Sequence, residues 1–159
     1  MAITLNEDKI QALICLPKEL PSNYRRVLSL RSFPDKAHRR AELFVTVDAE
    51  TQFVIKLRQS VLDITDFSVI YGYCIPHSNR VFHLRRYNGC HKHENKLEHN
   101  LFISYHIHQA TERYQNVDGA DVEAFAEPTD KYAEIYGALE LMLQECNFIK
   151  PSGSQLNLI

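Results

Sequence analysis

The chain is most informative first in what it lacks. No apolar run approaches the ~20 residues needed to cross a bilayer, so no membrane association is expected. The opening MAITLNEDK has no basic stretch followed by an apolar one, which argues against a secretory leader. None of Cys15, Cys74, Cys90 and Cys146 stands in a C-x-x-C pair, which removes the zinc-ribbon and thioredoxin signatures. Free thiols in a reducing cytoplasm are the expectation, with Cys90 set apart by its neighbour His91, since an imidazolium lowers a thiol pKa. The net charge of −2 is too small for nucleic-acid binding by bulk attraction, although a local basic patch would still serve. There is no internal repeat, no low-complexity segment and no linker. At 159 residues the chain fits one domain, read as residues 1–150 with a loose tail over 151–159.

Periodicity supplies the elements. Thr4 and Glu7 have capping-box spacing, and Ile10, Leu13 and Ile14 follow at helical spacing, which predicts a helix over residues 6–16 ended by Pro17. Val27, Leu28 and Leu30 suggest a strand. From residue 40 the period is two. Ala41, Leu43, Val45 and Val47, and after a turn at 48–50 Phe53, Ile55 and Leu57, form one apolar face of a hairpin. Further strands are predicted at 67–75, 80–87 and 101–114, with a polar loop at 90–100 and a short edge strand at 123–127. Tyr132, Ile135, Tyr136, Leu139, Met142, Leu143 and Cys146 trace an amphipathic helix capped by Thr129 or Asp130. The fold class is therefore α+β: an antiparallel β-meander of about five strands with an N-terminal and a C-terminal helix packed on one face.

The stretch around which the rest is organised is residues 85–114. All but His38 of the eight histidines fall between His77 and His108. Histidine titrates near neutrality and is the commonest metal ligand. Strand parity puts His83 and Arg85 on one face, and His106 and His108 on one face. With the apolar faces turned to the helices, these four converge on the open side, His91 and His93 hang in the adjoining loop, and Glu112, Arg113 and Tyr114 follow along the last strand. Three readings stand. The histidines are solvated surface groups. Or they form a metal-free acid/base site suited to phosphodiester cleavage, with His106 and His108 as proton carriers and Arg85 on the phosphate. Or His91, His93, His106 and His108, with Glu112 at hand, hold a divalent ion such as zinc or manganese. The metal-free site is preferred.

The run Leu84-Arg85-Arg86-Tyr87-Asn88-Gly89, then His91 with His93, then Tyr105-His106-Ile107-His108 and a closing helix, resembles small bacterial toxins of the TumE type. With Glu112 and the helix ending Cys146-Asn147, it also resembles an uncharacterised family of bacteria and mobile elements. The likeness covers residues 80–148. It departs at Tyr87-Asn88, where those proteins carry an acidic residue. It implies a toxin–antitoxin or phage-defence-associated protein, with an RNase activity, RNA as substrate and a cognate antitoxin as protein partner. His106, His108, His91, His93, Arg85, Glu112 and Arg113 are the implied catalytic set. The alternative is a non-enzymatic binding module of a prophage or defence locus that inhibits a host protein or holds a nucleotide.

Overall fold

A computed structural model describes residues 3–32 and 37–152. Among the described residues the chain is mixed α+β, with four helices and a seven-stranded sheet. The order is α1 (Glu7–Cys15), β1 (Lys18–Glu19), α2 (Tyr24–Val27), β2 (Arg31–Ser32), β3 (His38–Asp48), β4 (Thr51–Ser60), β5 (Phe67–Cys74), β6 (Val81–Asn95), β7 (Asn100–Gln109), α3 (Glu112–Gln115), β8 (Phe125–Pro128), α4 (Ile135–Glu145) and β9 (Phe148–Ile149). Strands β2 to β8 lie side by side in chain order and pair antiparallel. The small pair β1–β9 is parallel and ties the N-terminal segment to the residues after α4.

One face of the sheet is dry. Cross-strand register aligns Leu43 with Ile55 and Tyr71, and Leu57 with Val69 and Tyr87. All these side chains are buried. Each large apolar group so removed from water stabilises the fold by about 1.5–3 kcal/mol. Both long helices cover this face. The Tyr71 hydroxyl donates to Leu13 O in α1 at 2.8 Å, and the Tyr87 hydroxyl donates to Glu145 in α4 at 2.7 Å. On the opposite face, β3 and β4 present Glu42, Phe44, Lys56 and Arg58 outward.

Several local expectations change. The N-cap of α1 is Asn6, whose side chain accepts from Lys9 N; Glu7 instead accepts the backbone N–H of Glu112. Residues 24–27 are a helical turn rather than the strand suggested at Val27–Leu30, because Tyr24 is drawn into the core. The cap of α4 is Glu134, which accepts from Tyr136 N and Gly137 N, in place of Thr129 or Asp130. The tail expected over 151–159 lies, from residue 153 on, outside the described residues.

The larger change is at the second half of β6. Residues 90–95 were expected as loop, yet β6 runs on to Asn95 and pairs with β7 along its length. Two irregularities decide where its side chains point. Tyr71 opposes Arg85 while Gly72 opposes His83, so Leu84 is an extra residue, a β-bulge. Asn88 opposes His106 while His91 opposes Ser104, so Gly89 and Cys90 together face only Tyr105, a second bulge. Only glycine fits at the second: a Cβ on Gly89 would lie 1.8 Å from Thr65 O, which accepts the Cys90 N–H at 3.0 Å. The hydroxyl of Tyr132 reaches both strands here, 2.7 Å from Asn88 O and 3.1 Å from His106 O.

Candidate functional site

A bulge adds one residue and so reverses the alternation beyond it. The bulge at Leu84 leaves His83 on the face away from the helices but turns Arg85 onto the helix-covered face. There Arg85 bonds the Tyr87 hydroxyl at 3.2 Å and lies 3.5 Å from Glu145. The convergence of Arg85 with His106 and His108 is therefore corrected. Arg86, opposite His108 in the ladder, takes that place. The bulge at Gly89–Cys90 reverses parity again, which brings His91 and His93 to the same face as His106 and His108. Without it, Cys90 and Lys92 would occupy that face.

The far half of the β6–β7 hairpin then folds back across that face. Asn95, near its tip, exchanges two hydrogen bonds with the backbone of Ala126 in β8, although β7 separates β6 from β8 in the sheet. Leu97 N donates to the Tyr114 hydroxyl, which donates to Glu98 at 2.6 Å, and Arg113 makes two further bonds to Glu98. The folded-back arm covers His106 and His108, which are 0% and 3% exposed. His93 is half-buried and His91 is exposed. Ring centroids lie 4.7 Å apart for His93 and His108, 4.9 Å for His106 and His108, 5.4 Å for His93 and His106, and 4.8 Å for His91 and His106.

Glu112 and Arg113 do not join this cluster. Both belong to α3. Glu112 accepts from Glu7 N, and Arg113 pairs with Glu98 on the arm. Their role is to hold the N-terminus and the arm in place, and the expectation that they line the site is corrected. They were placed there because β7 was expected to run to residue 114. It ends at Gln109, and Thr111 caps α3 by accepting from Tyr114 N.

Three of the imidazoles, His93, His106 and His108, are each fixed by a carbonyl oxygen. His106 Nδ1–H donates to Ser104 O at 2.8 Å, and His108 Nδ1–H donates to Glu123 O at 2.9 Å. The Asn95 side-chain oxygen accepts from Ala126 N while its amide donates to Ala126 O, so that oxygen is an acceptor, and His93 Nε2–H donates to it at 2.8 Å. Burial pushes the His106 pKa down to about 4 and the His108 pKa down to about 2, with the neighbouring imidazoles and Arg86 acting in the same direction. Both are thus neutral imidazoles at pH 7. Glu123, 3% exposed, accepts from His83 Nδ1 at 2.7 Å and lies 3.8 Å from Arg86 Nε. His83 and Arg86 hold its pKa below the usual carboxylate range against the upward effect of burial.

The structure thus assembles His83, Arg86, His91, His93, His106, His108 and Glu123. Sequence reasoning missed Arg86, Glu123 and Asn95. Arg86 was passed over by parity, and nothing in the sequence marks Glu123 or Asn95 as distinct from other surface-type polar residues. Among the described residues no helix is long and apolar enough to cross a membrane. No family model, curated protein or solved structure matches the chain.

Proposed function

We propose that the protein is a small ribonuclease of a toxin–antitoxin or phage-defence locus, working at the histidine face beneath the β6–β7 arm. The observation that carries this reading is the gathering of five histidines and an arginine on one sheet face by two bulges. A fold alone has no use for such a concentration, and clustered, strongly shifted titratable groups raise the odds of chemistry. RNA as substrate and an antitoxin as partner rest on the resemblance of residues 80–148 to TumE-type toxins.

The roles differ from those expected of the sequence. His106 and His108 are buried and held neutral, so they are poor proton donors at pH 7. The groups a phosphodiester can reach are His91, His83 and Arg86, the last two one-third and one-quarter exposed. Arg86 suits a non-bridging phosphate oxygen. His83, oriented through Nδ1 by Glu123, keeps Nε2 for proton transfer, and His91 offers a second imidazole across the cluster.

Expression in a bacterium tests this. Growth arrest relieved by His91→Ala and by Arg86→Ala, together with RNA cleavage by purified protein that falls about 10²-fold or more in the same variants, is the expected outcome. Harmless expression with no cleavage favours the binding module, in which the same face recognises a host protein or a nucleotide.

A further inference from the structure

His106 Nε2 is a fully buried nitrogen with no hydrogen-bond partner. With Nδ1–H committed to Ser104 O, this nitrogen carries a lone pair and no proton. The same logic leaves a lone pair on His108 Nε2, and Nδ1 is the ring nitrogen of His93 that Asn95 leaves uncommitted. One ring nitrogen from each of His93, His106 and His108 lies within 4.8 Å of one from each of the others. Ser104 Oγ, on the same strand face as His106, is a second buried polar atom without a partner. Three imidazoles, each held by a carbonyl oxygen through one nitrogen with the other left over, are what a transition-metal site requires of its ligands.

We infer that His93, His106 and His108 form a binding site for one transition-metal ion of the zinc class. Nitrogen-only donors select zinc, cobalt, nickel or copper over magnesium and calcium, which take oxygen. Tetrahedral coordination at about 2.0–2.1 Å spaces ligand nitrogens about 3.4 Å apart, so the widest pair closes by no more than about 1.5 Å. A three-protein-ligand set is the pattern of catalytic rather than structural zinc. Such an ion would supply Lewis acidity toward a phosphoryl oxygen beside Arg86. The Arg86 guanidinium opposes a second cation nearby, and the Glu123 carboxylate offsets it. His91 stands outside the triad: its ring packs edge-on against His106, and it is solvent-exposed.

The ligands come from both parts of the bent hairpin, His93 from the arm and His106 and His108 from the strand beneath it. An ion at this point therefore clamps the arm to the sheet. The inference deepens the ribonuclease reading by giving its site a cofactor, and it rests on that choice of site, while binding itself needs no RNA.

The test is equilibrium binding of Zn2+ and of Co2+ to the chelator-stripped full chain. One ion per chain is expected, with the visible absorption of four-coordinate Co2+. His93→Ala, on the half-buried arm where folding is least at risk, weakens binding more than 100-fold. Asn95→Ala, which frees the His93 ring, weakens it by about 10- to 100-fold. His91→Ala and His77→Ala leave it within about threefold. Imidazole nitrogen NMR of the stripped protein shows His106 and His108 protonated at Nδ1, and Zn2+ shifts their Nε2 signals. Absence of stoichiometric binding overturns the inference, as does full binding by His93→Ala or loss in His91→Ala equal to that in His93→Ala. Stoichiometric binding without RNA cleavage retains the metal site and removes the ribonuclease. Cleavage that survives stripping, with no metal bound, does the reverse.

Discussion

Two buried side-chain nitrogens, Lys18 Nζ and His106 Nε2, are treated in opposite ways. On the helix-covered face, Lys18 is 0% exposed, yet its ammonium donates to Leu13 O, Ile14 O and Leu16 O at the end of α1. It also lies 5.0–5.1 Å from the ring centres of Phe53, Tyr71 and Phe148. Every donor is used, and carbonyls that a helix end leaves unpaired are satisfied. On the other face, His106 is equally buried and ends with an acceptor unused. A buried polar group left unpaired costs about 1–3 kcal/mol. The first arrangement completes the fold. The second carries that cost, and the metal ion inferred above would relieve it. An unpaired buried nitrogen alone does not set His106 apart, since Arg85 Nε on the helix-covered face is also buried without a partner; what does is the alignment of His93 and His108 beside it.

The comparison breaks most severely at Gly89. Replacement by alanine drives a Cβ into Thr65 O, so the backbone must move and the bulge that sets the parity of His91 and His93 is lost or distorted. Gly89→Ala is expected to cost about 3 kcal/mol by denaturant midpoint and to lose metal binding together with stability. A variant of wild-type stability would show that the bulge does not depend on this glycine.

Next is Lys18→Met, which removes the ammonium while keeping most of the apolar stem. It strands the Ile14 and Leu16 carbonyls and is expected to destabilise by about 2–3 kcal/mol, with metal binding unchanged. A neutral result would make the two buried nitrogens alike. Conversely, loss of binding would link two faces that the structure keeps apart.

The prediction that separates the two groups along the pH axis is linkage. Burial lowers both sets of pKa values, so in each case the unfolded chain binds the proton more tightly and stability rises with pH across the window. For His106 and His108 that window lies below the unfolded value near 6.5 and extends to about 4 and about 2. Their contribution is complete above pH 6.5 and is lost on acidification. For Lys18 the window runs from about 8 to 10.5, and its neutralisation adds stability as pH rises through it. Thermal unfolding of the stripped protein should therefore weaken between pH 6.5 and 4. His106→Leu with His108→Leu flattens that limb, and Lys18→Met leaves it intact. A limb of the same slope in the double variant would assign the acid loss to other groups.

The legibility of the chain follows from the same physics. Ile10, Leu13 and Ile14 on α1, and the alternating Leu43, Val45, Phe53 and Ile55 on β3 and β4, were readable because each pattern is local and each element is regular. The histidine concentration was equally plain. Thr4 and Val27 misled because capping and strand propensity are weak preferences that burial of Tyr24 and the tie between Glu7 and Glu112 override.

What the sequence by itself determined is composition and period: an α+β chain, an antiparallel sheet with one apolar face, and histidines concentrated on two neighbouring strands. What only the tertiary structure decided is which of those side chains meet. A single extra residue reverses every orientation beyond it, and the bulges at Leu84 and Gly89–Cys90 are set by contacts with β5, Thr65 and Tyr132 that lie far away in sequence. Those contacts exchange Arg85 for Arg86, bring His93 over His106 and His108, and leave Glu112 and Arg113 to pin the chain elsewhere. Parity propagates along a strand, but the places where it breaks are fixed by neighbours that the strand meets only after folding.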